Sequence, residues 1–192
     1  DNVNLSECEK RGIGVLTTRP FTQSTADWIS EKIDDKDNVM FLGYGSIAEK
    51  VKTKNAHIIN RSIRKQDLIK QLDNINCLVV SMTPEGNDNF VDEDILKNFK
   101  GKIISVSRAN VIDNTALYNN LDNISHAYID TLDSKYREEL LESGKVTYTK
   151  HTAWSHNFSY EDNQEYYSKL QIRILNPEAY KPVLPRTERV TF

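Results

Sequence analysis

Two glycines, Gly43 and Gly45, stand directly behind the apolar run Val39-Met40-Phe41-Leu42 and ahead of Ser46-Ile47-Ala48, giving the pattern G-x-G-x-x-A. Each small residue has a task in such a turn: Gly43 permits a tight reversal, Gly45 lets backbone approach a pyrophosphate, and Ala48 lets a helix pack closely on the strand. The turn around Ser46 and Ile47 would then present a helix N-terminus to the phosphate charge. Alone, the hexapeptide also describes a structural glycine turn. Behind a strand and ahead of further β–α units, it points to a dinucleotide site. In that fingerprint an acidic residue about 20 positions on takes the ribose 2′-hydroxyl. Here the next β-type run ends in Asn60-Arg61-Ser62, with Arg64 and Lys65 close behind. A guanidinium in place of a carboxylate favours a 2′-phosphate, so the expected cofactor is NADP, with NAD as the alternative. The same arginines also read as solvated residues at a helix start.

The elements that must position this turn are short. β-type runs cover residues 13–17, 38–42, 56–59, 77–81, 102–106, 125–129 and 146–148, and several are apolar throughout, as strands covered on both faces are. Helical patterns fall between them at 46–54, 63–72, 92–99 and 115–121, the last with Asn114 as N-cap and Asp113 near its positive end. This alternation predicts an α/β fold: a Rossmann-like, doubly wound parallel sheet in three α/β/α layers. A longer amphipathic helix at 160–175, carrying Tyr167, Leu170 and Ile174, and an extended tail at 179–192 with Pro182 and Pro185 complete the expectation.

Three further segments, in order, resemble the D-2-hydroxyacid dehydrogenase family. Ile103-Ile104-Ser105-Val106-Ser107-Arg108-Ala109-Asn110 is similar to its strand and arginine loop. Ile124-Ser125-His126-Ala127-Tyr128-Ile129-Asp130 resembles its strand ending in aspartate. Val146-Thr147-Tyr148-Thr149-Lys150-His151-Thr152-Ala153-Trp154 resembles its T-P-H-x-A segment, with Lys150 in place of proline. The resemblance implies that Arg108 binds the carboxylate and carbonyl of a 2-oxo acid and that His151 protonates the oxo group while a nicotinamide delivers hydride. It implies further cofactor contacts at Thr83, Pro84, Ser107, Asp130 and His151. The family's glutamate, which orients and charges the histidine, falls at Lys135, so Glu138 or Glu139 is expected to take its part. The Ala153-Trp154 pair resembles the glycerate dehydrogenase and hydroxypyruvate reductase branch, which implies substrates such as glyoxylate or hydroxypyruvate.

The chain enters the family pattern partway. Residues 1–33 are similar to the end of the substrate domain and the start of the connecting helix, 34–156 to the dinucleotide-binding domain, and 157–192 form the terminal helix and tail. The first residue is Asp1, so a fragment of a longer dehydrogenase, or a partner carrying the substrate domain, is an open alternative, as are a homodimer and a non-catalytic nucleotide-binding or assembly subunit.

Composition narrows the field. With 25 basic against 28 acidic residues and a net charge of −3, the 192-residue chain carries no basic stripe, which excludes nucleic acid and anionic membranes as expected partners. The longest apolar runs fall far short of the ~20 residues that cross a bilayer. Two cysteines, Cys8 and Cys77, are too few for a disulfide framework and suggest a reducing cytoplasm. His57, His126 and His156 lack metal-ligand spacing, so no metal is expected. Trp28, Trp154, Tyr166 and Tyr167 read as core or interface residues.

Overall fold

The computed structural model describes residues 5–12, 22–59, 63–157 and 168. It divides into two compact units, one of Asp1–Pro20 with Phe158–Phe192 and one of Phe21–Asn157. In the first, α1 (Leu5–Lys10) is closed by a Glu7–Arg11 ion pair. The expected strand at 13–17, helix at 160–175 and tail lie outside the described residues, as do Tyr166 and Tyr167.

The second unit is built on six strands, β1 (Val39–Leu42), β2 (Ala56–Ile58), β3 (Cys77–Val80), β4 (Gly101–Ser105), β5 (Ile124–Ile129) and β6 (Val146–Tyr148). They lie in the order β2-β1-β3-β4-β5-β6, parallel in every pair. The chain leaves β1 to one side for β2 and returns past it to β3. The crevice between the ends of β1 and β3 is therefore the topological switch point, where open α/β sheets bind ligands. Among the described residues nothing pairs with the outer side of β2, whose Ile58 is 55 % exposed.

β1 and β3 are buried at every position, because side chains alternate between two covered faces. Met40, Leu42, Leu78, Val80 and Ile103 meet Leu68 of α3 (Lys65–Ile69), Ile95 and Leu96 of α4 (Glu93–Asn98), Ala116 and Leu117 of α5 (Asn114–Asn119) and Leu140 of α6 (Arg137–Glu142). Val39, Phe41, Cys77, Val79 and Ile104 meet Trp28 and Ile29 of α2 (Thr22–Ser30), together with Ala48 and Ala153. The result is the expected α/β/α sandwich. Trp28 is a core residue, whereas Trp154 is more than half exposed.

Three local expectations need correction. The helix at 46–54 is a single 3-10 turn, Ala48–Lys50, followed by extended chain from Val51. A nine-residue helix would leave one residue to reverse into β2, where such loops need about 2–6. The stretch at 63–72 forms only the short α3 and a 3-10 turn at Leu72–Asn74. The N-cap of α5 is Asp113, whose carboxylate accepts from the N–H of Thr115 at 2.8 Å and of Ala116 at 3.1 Å; Asn114 is already inside the helix. α2 packs within the Phe21–Asn157 unit.

Candidate active site

The sheet register aligns the strand ends. Leu42, Val80, Ser105, Ile129 and Tyr148 are successive cross-strand partners and form one transverse row. The residues just beyond that row are Gly43, Ser81, Val106, Asp130 and Thr149; Arg108 and His151 follow three positions after β4 and β6. With about 4.8 Å between strands, β4 and β6, whose following loops carry Arg108 and His151, run roughly 10 Å apart on either side of β5.

At the switch point Gly43 adopts φ +89°. A Cβ there would lie 2.9 Å from backbone atoms of Ser81 and Met82, so both the conformation and the space demand glycine. Ser81 locks the crossing, its hydroxyl donating to the Gly43 carbonyl at 2.6 Å and its N–H to the Leu42 carbonyl at 2.9 Å. Gly45 is different: a Cβ there would meet nothing within 4 Å, and its φ is not left-handed. Open space over Gly45 fits the close approach of a phosphate to backbone. Neither the Ser46 nor the Ile47 N–H donates to another group among the described residues, which leaves both able to bind such an anion. The helix dipole is largely missing, because the segment beyond is one 3-10 turn.

Asn60, Arg61 and Ser62, expected at the ribose corner, lie outside the described residues. Of the neighbouring cations, Arg64 pairs with Asp67 at 2.8 Å and Lys65 with Asp92, so neither reaches toward a 2′-phosphate unpaired.

Behind β3, Thr83 is exposed and Pro84 opens a turn whose carbonyl accepts from the Asn87 N–H at 2.9 Å. Ser107, buried behind β4, donates its hydroxyl to the Met82 carbonyl at 3.0 Å and tethers the two loops. Arg108 is exposed, and its guanidinium has no ion-pair or hydrogen-bond partner among the described residues. Such a cation on a rim of ordered backbone can hold a carboxylate by two parallel N–H bonds.

Behind β5 and β6 a buried carboxylate organises an exposed imidazole. Asp130 Oδ1 accepts from the Thr149 hydroxyl at 2.6 Å and the Ala153 N–H at 2.9 Å, and the Asp130 carbonyl accepts from the His151 N–H at 2.6 Å. Asp130 Oδ2 lies 3.3 Å from His151 Nδ1. Lys150 and His151 are both left-handed, at φ +56° and +61°, a conformation closed to the family's proline. Glu138, expected to serve His151, is exposed in the first turn of α6, and no contact links it to the imidazole. Lys135, at the glutamate's counted position, stands over the Tyr136 ring. The family resemblance made Asp130 a cofactor contact and gave Thr149 no part. Aligning the ends of β5 and β6, where Ile129 pairs with Tyr148, is the signal that would have brought both residues to His151.

Among the described residues no three His, Cys, Asp or Glu side chains gather as a metal site, and no helix is long and apolar enough to cross a membrane. His126 bonds Thr147, and His156 bonds Glu31 at 2.7 Å.

A parallel sheet with a glycine turn at its switch point and loops carrying arginine and histidine along the same edge defines a Rossmann-type dinucleotide-binding domain of an oxidoreductase. The sequence matches the family model described as "D-isomer specific 2-hydroxyacid dehydrogenase, NAD binding domain" over residues 39–153, and the chain belongs to that family of NAD(P)-dependent oxidoreductases. Among solved structures it resembles an acyclic imino acid reductase in complex with NADPH and D-Arg, at TM-score 0.75 and 17 % identity, over 95 % of this chain and 74 % of that one. It also resembles the NADPH-dependent glyoxylate/hydroxypyruvate reductase of Sinorhizobium meliloti, at TM-score 0.74 and 21 % identity, over 95 % and 75 %. The D-lactate dehydrogenase of Aquifex aeolicus, complexed with NAD and lactic acid, aligns at TM-score 0.68 and 18 % identity, over 93 % and 74 %. At such identities the likeness shows the fold. A search of curated proteins by sequence gives no match.

Proposed function

We propose that this domain binds NADP(H) in preference to NAD(H) and serves the reduction of a small 2-oxo acid, with Arg108 holding the substrate carboxylate and His151 giving the proton to the 2-oxygen. The observation that carries this reading is the shared edge: the open backbone at Gly45, the unpaired guanidinium of Arg108 and the imidazole of His151 all follow the same transverse row of strand ends. When bound, the nicotinamide supplies or accepts the hydride, which no side chain can do. Arg108 offers planar, bidentate recognition that fixes the acid's orientation. His151 offers a group that gives and takes protons near neutral pH. Arg61, in the sequence Asn60-Arg61-Ser62 where the fingerprint expects a carboxylate, favours a 2′-phosphate over a bare ribose. The likeness to the glyoxylate/hydroxypyruvate reductase of Sinorhizobium meliloti supports glyoxylate and hydroxypyruvate as first substrates to try. The exposure of Arg108 argues for a cover that excludes water, supplied by a substrate domain on the same or a partner polypeptide, with a homodimer as one arrangement.

One observation favours a second reading. The turn that should open a phosphate-binding helix opens a single 3-10 turn, as suits a non-catalytic nucleotide-binding subunit. Fluorescence titration with NADPH and NADH, followed by glyoxylate and hydroxypyruvate with loss of nicotinamide absorbance as readout, separates the two. Binding with turnover, and an Arg108→Ala variant that binds nucleotide but no longer turns over, supports the reductase. Binding without turnover supports the second reading, and no binding of either nucleotide refutes both.

A further inference from the structure

We propose that Asp130 is the positioning residue of His151, taking the part for which Glu138 or Glu139 was expected: its Oδ2 accepts from Nδ1–H, which keeps the proton on Nδ1 and so turns Nε2 toward the substrate oxygen. This rests on the reductase reading for its purpose but not for its geometry. The carboxylate is 3 % exposed and fixed from three directions, by the Thr149 hydroxyl, the Ala153 N–H and its own place at the end of β5. All three hold Oδ1 and the backbone. Oδ2 faces the imidazole at 3.3 Å, and the His151 N–H bonds the Asp130 carbonyl at 2.6 Å, so side chain and backbone of one residue grip both parts of the other.

A carboxylate is an obligate acceptor, and therefore the nitrogen facing it carries the proton. A ring-nitrogen contact of 3.3 Å is longer than a good hydrogen bond, and catalytic bonds of this kind tighten when the site fills. Two consecutive left-handed residues, Lys150 and His151, are what bring the imidazole back over the end of β5. Backbone strain of that kind persists where surrounding bonds over-determine it, and here the bonds to Asp130 do so.

Asp130→Asn is the test. It keeps Oδ1 for Thr149 and Ala153 and replaces Oδ2 with a donor, so the loop is retained while the demand on His151 reverses. Nitrogen-15 NMR of the ring in the nucleotide-free protein reads the tautomer without any need for turnover. The expected result is Nδ1–H in the wild type and Nε2–H in D130N, with the His126 signals unmoved. Thr149→Val removes a loop bond to the same carboxylate and is the structural comparison: it lowers Tm and leaves Nδ1 protonated. In the enzyme assay D130N loses at least about 100-fold in kcat, on the general scale of acid–base catalysis. An unchanged tautomer in D130N overturns the proposal. Should D130N not fold, the wild-type ring decides alone: Nδ1–H supports the pairing and Nε2–H overturns it. Absence of turnover in the wild type would count against the reductase reading and leave the tautomer result standing.

Discussion

Gly43→Ala would place a methyl 2.9 Å from Ser81 and Met82 backbone at φ +89°, whereas Gly45→Ala would place one in open space. The first change carries a left-handed penalty of about 1–2 kcal/mol for an L-residue. It adds overpacking against main chain that cannot rotate away, about 1–3 kcal/mol. The combined loss of about 2–5 kcal/mol is a large share of a stability of roughly 5–15 kcal/mol. For a domain of this size it lowers Tm by roughly 5–15 °C. Gly45→Ala costs the fold nothing, and by restricting the unfolded chain it can add about 0.4–1 kcal/mol. Its methyl instead occupies the approach to the pyrophosphate, and overpacking of about 1–3 kcal/mol there weakens NADPH binding about 5- to 150-fold. Thermal melts followed by circular dichroism, paired with nucleotide titration, read both quantities on the same samples. The reasoning is refuted if Gly45→Ala melts as low as Gly43→Ala, or if Gly45→Ala binds NADPH like the parent.

Restoring the family's proline, Lys150→Pro, should destabilise by about 3 kcal/mol or more, since proline cannot adopt φ +56°, while Lys150→Gly should raise Tm by relieving about 1 kcal/mol; urea denaturation of both variants checks the opposite signs. Lys102 bonds Asp34 at 2.8 Å and the buried Asp37 at 3.0 Å, so Lys102→Met leaves a buried carboxylate without its cation and should cost about 3 kcal/mol in the same assay. Burial opposes the Lys102 charge, but hydrogen bonds to Asp34 and Asp37 outweigh it and raise its pKa above the ordinary 10.5. Its contribution is therefore complete below pH 10.5 and lost as pH rises through the folded value, and Lys102→Met should flatten the alkaline limb of a Tm–pH curve. Asp34, held low chiefly by the hydrogen bond from Lys102, contributes fully above about pH 3.8 and loses that contribution as pH falls through its folded value. Burial, with Asp37 nearby, pushes the Cys77 thiol up to about 12, so a thiol reagent at pH near 8 should label Cys77 only at the rate of unfolding, as peptide mass mapping would show.

The strands were legible because burial on both faces forces continuous apolar runs, as in Val39–Leu42 and Cys77–Val80, and such runs stand out against a polar sequence. The glycine turn was legible because only glycine satisfies the crossing at Ser81. What followed it was not: Ile47, Ala48 and Val51 have helical spacing, and only the count of residues to β2 shows that no helix fits. α6 went unread because no Ser, Thr, Asp or Asn caps it; Tyr136 precedes it at φ +59°. Arg108 and His151 stood out through their flanking words, whereas the contact between Asp130 and His151 depends on the register of β5 with β6, which no local pattern encodes.

The lock between Gly43 and Ser81 also sets where the site can move. The floor of the crevice is held by the Ser81 hydroxyl and N–H, both bonded to the segment leaving β1, directly behind strands that are wholly buried. The Ser81 N–H can exchange with solvent only when the segments leaving β1 and β3 part, whereas the largely exposed loop at 83–89 is free to open by local excursions at lower cost. A ligand entering the crevice therefore meets a base fixed between β1 and β3, and any opening that admits or releases it falls to the loop at 83–89.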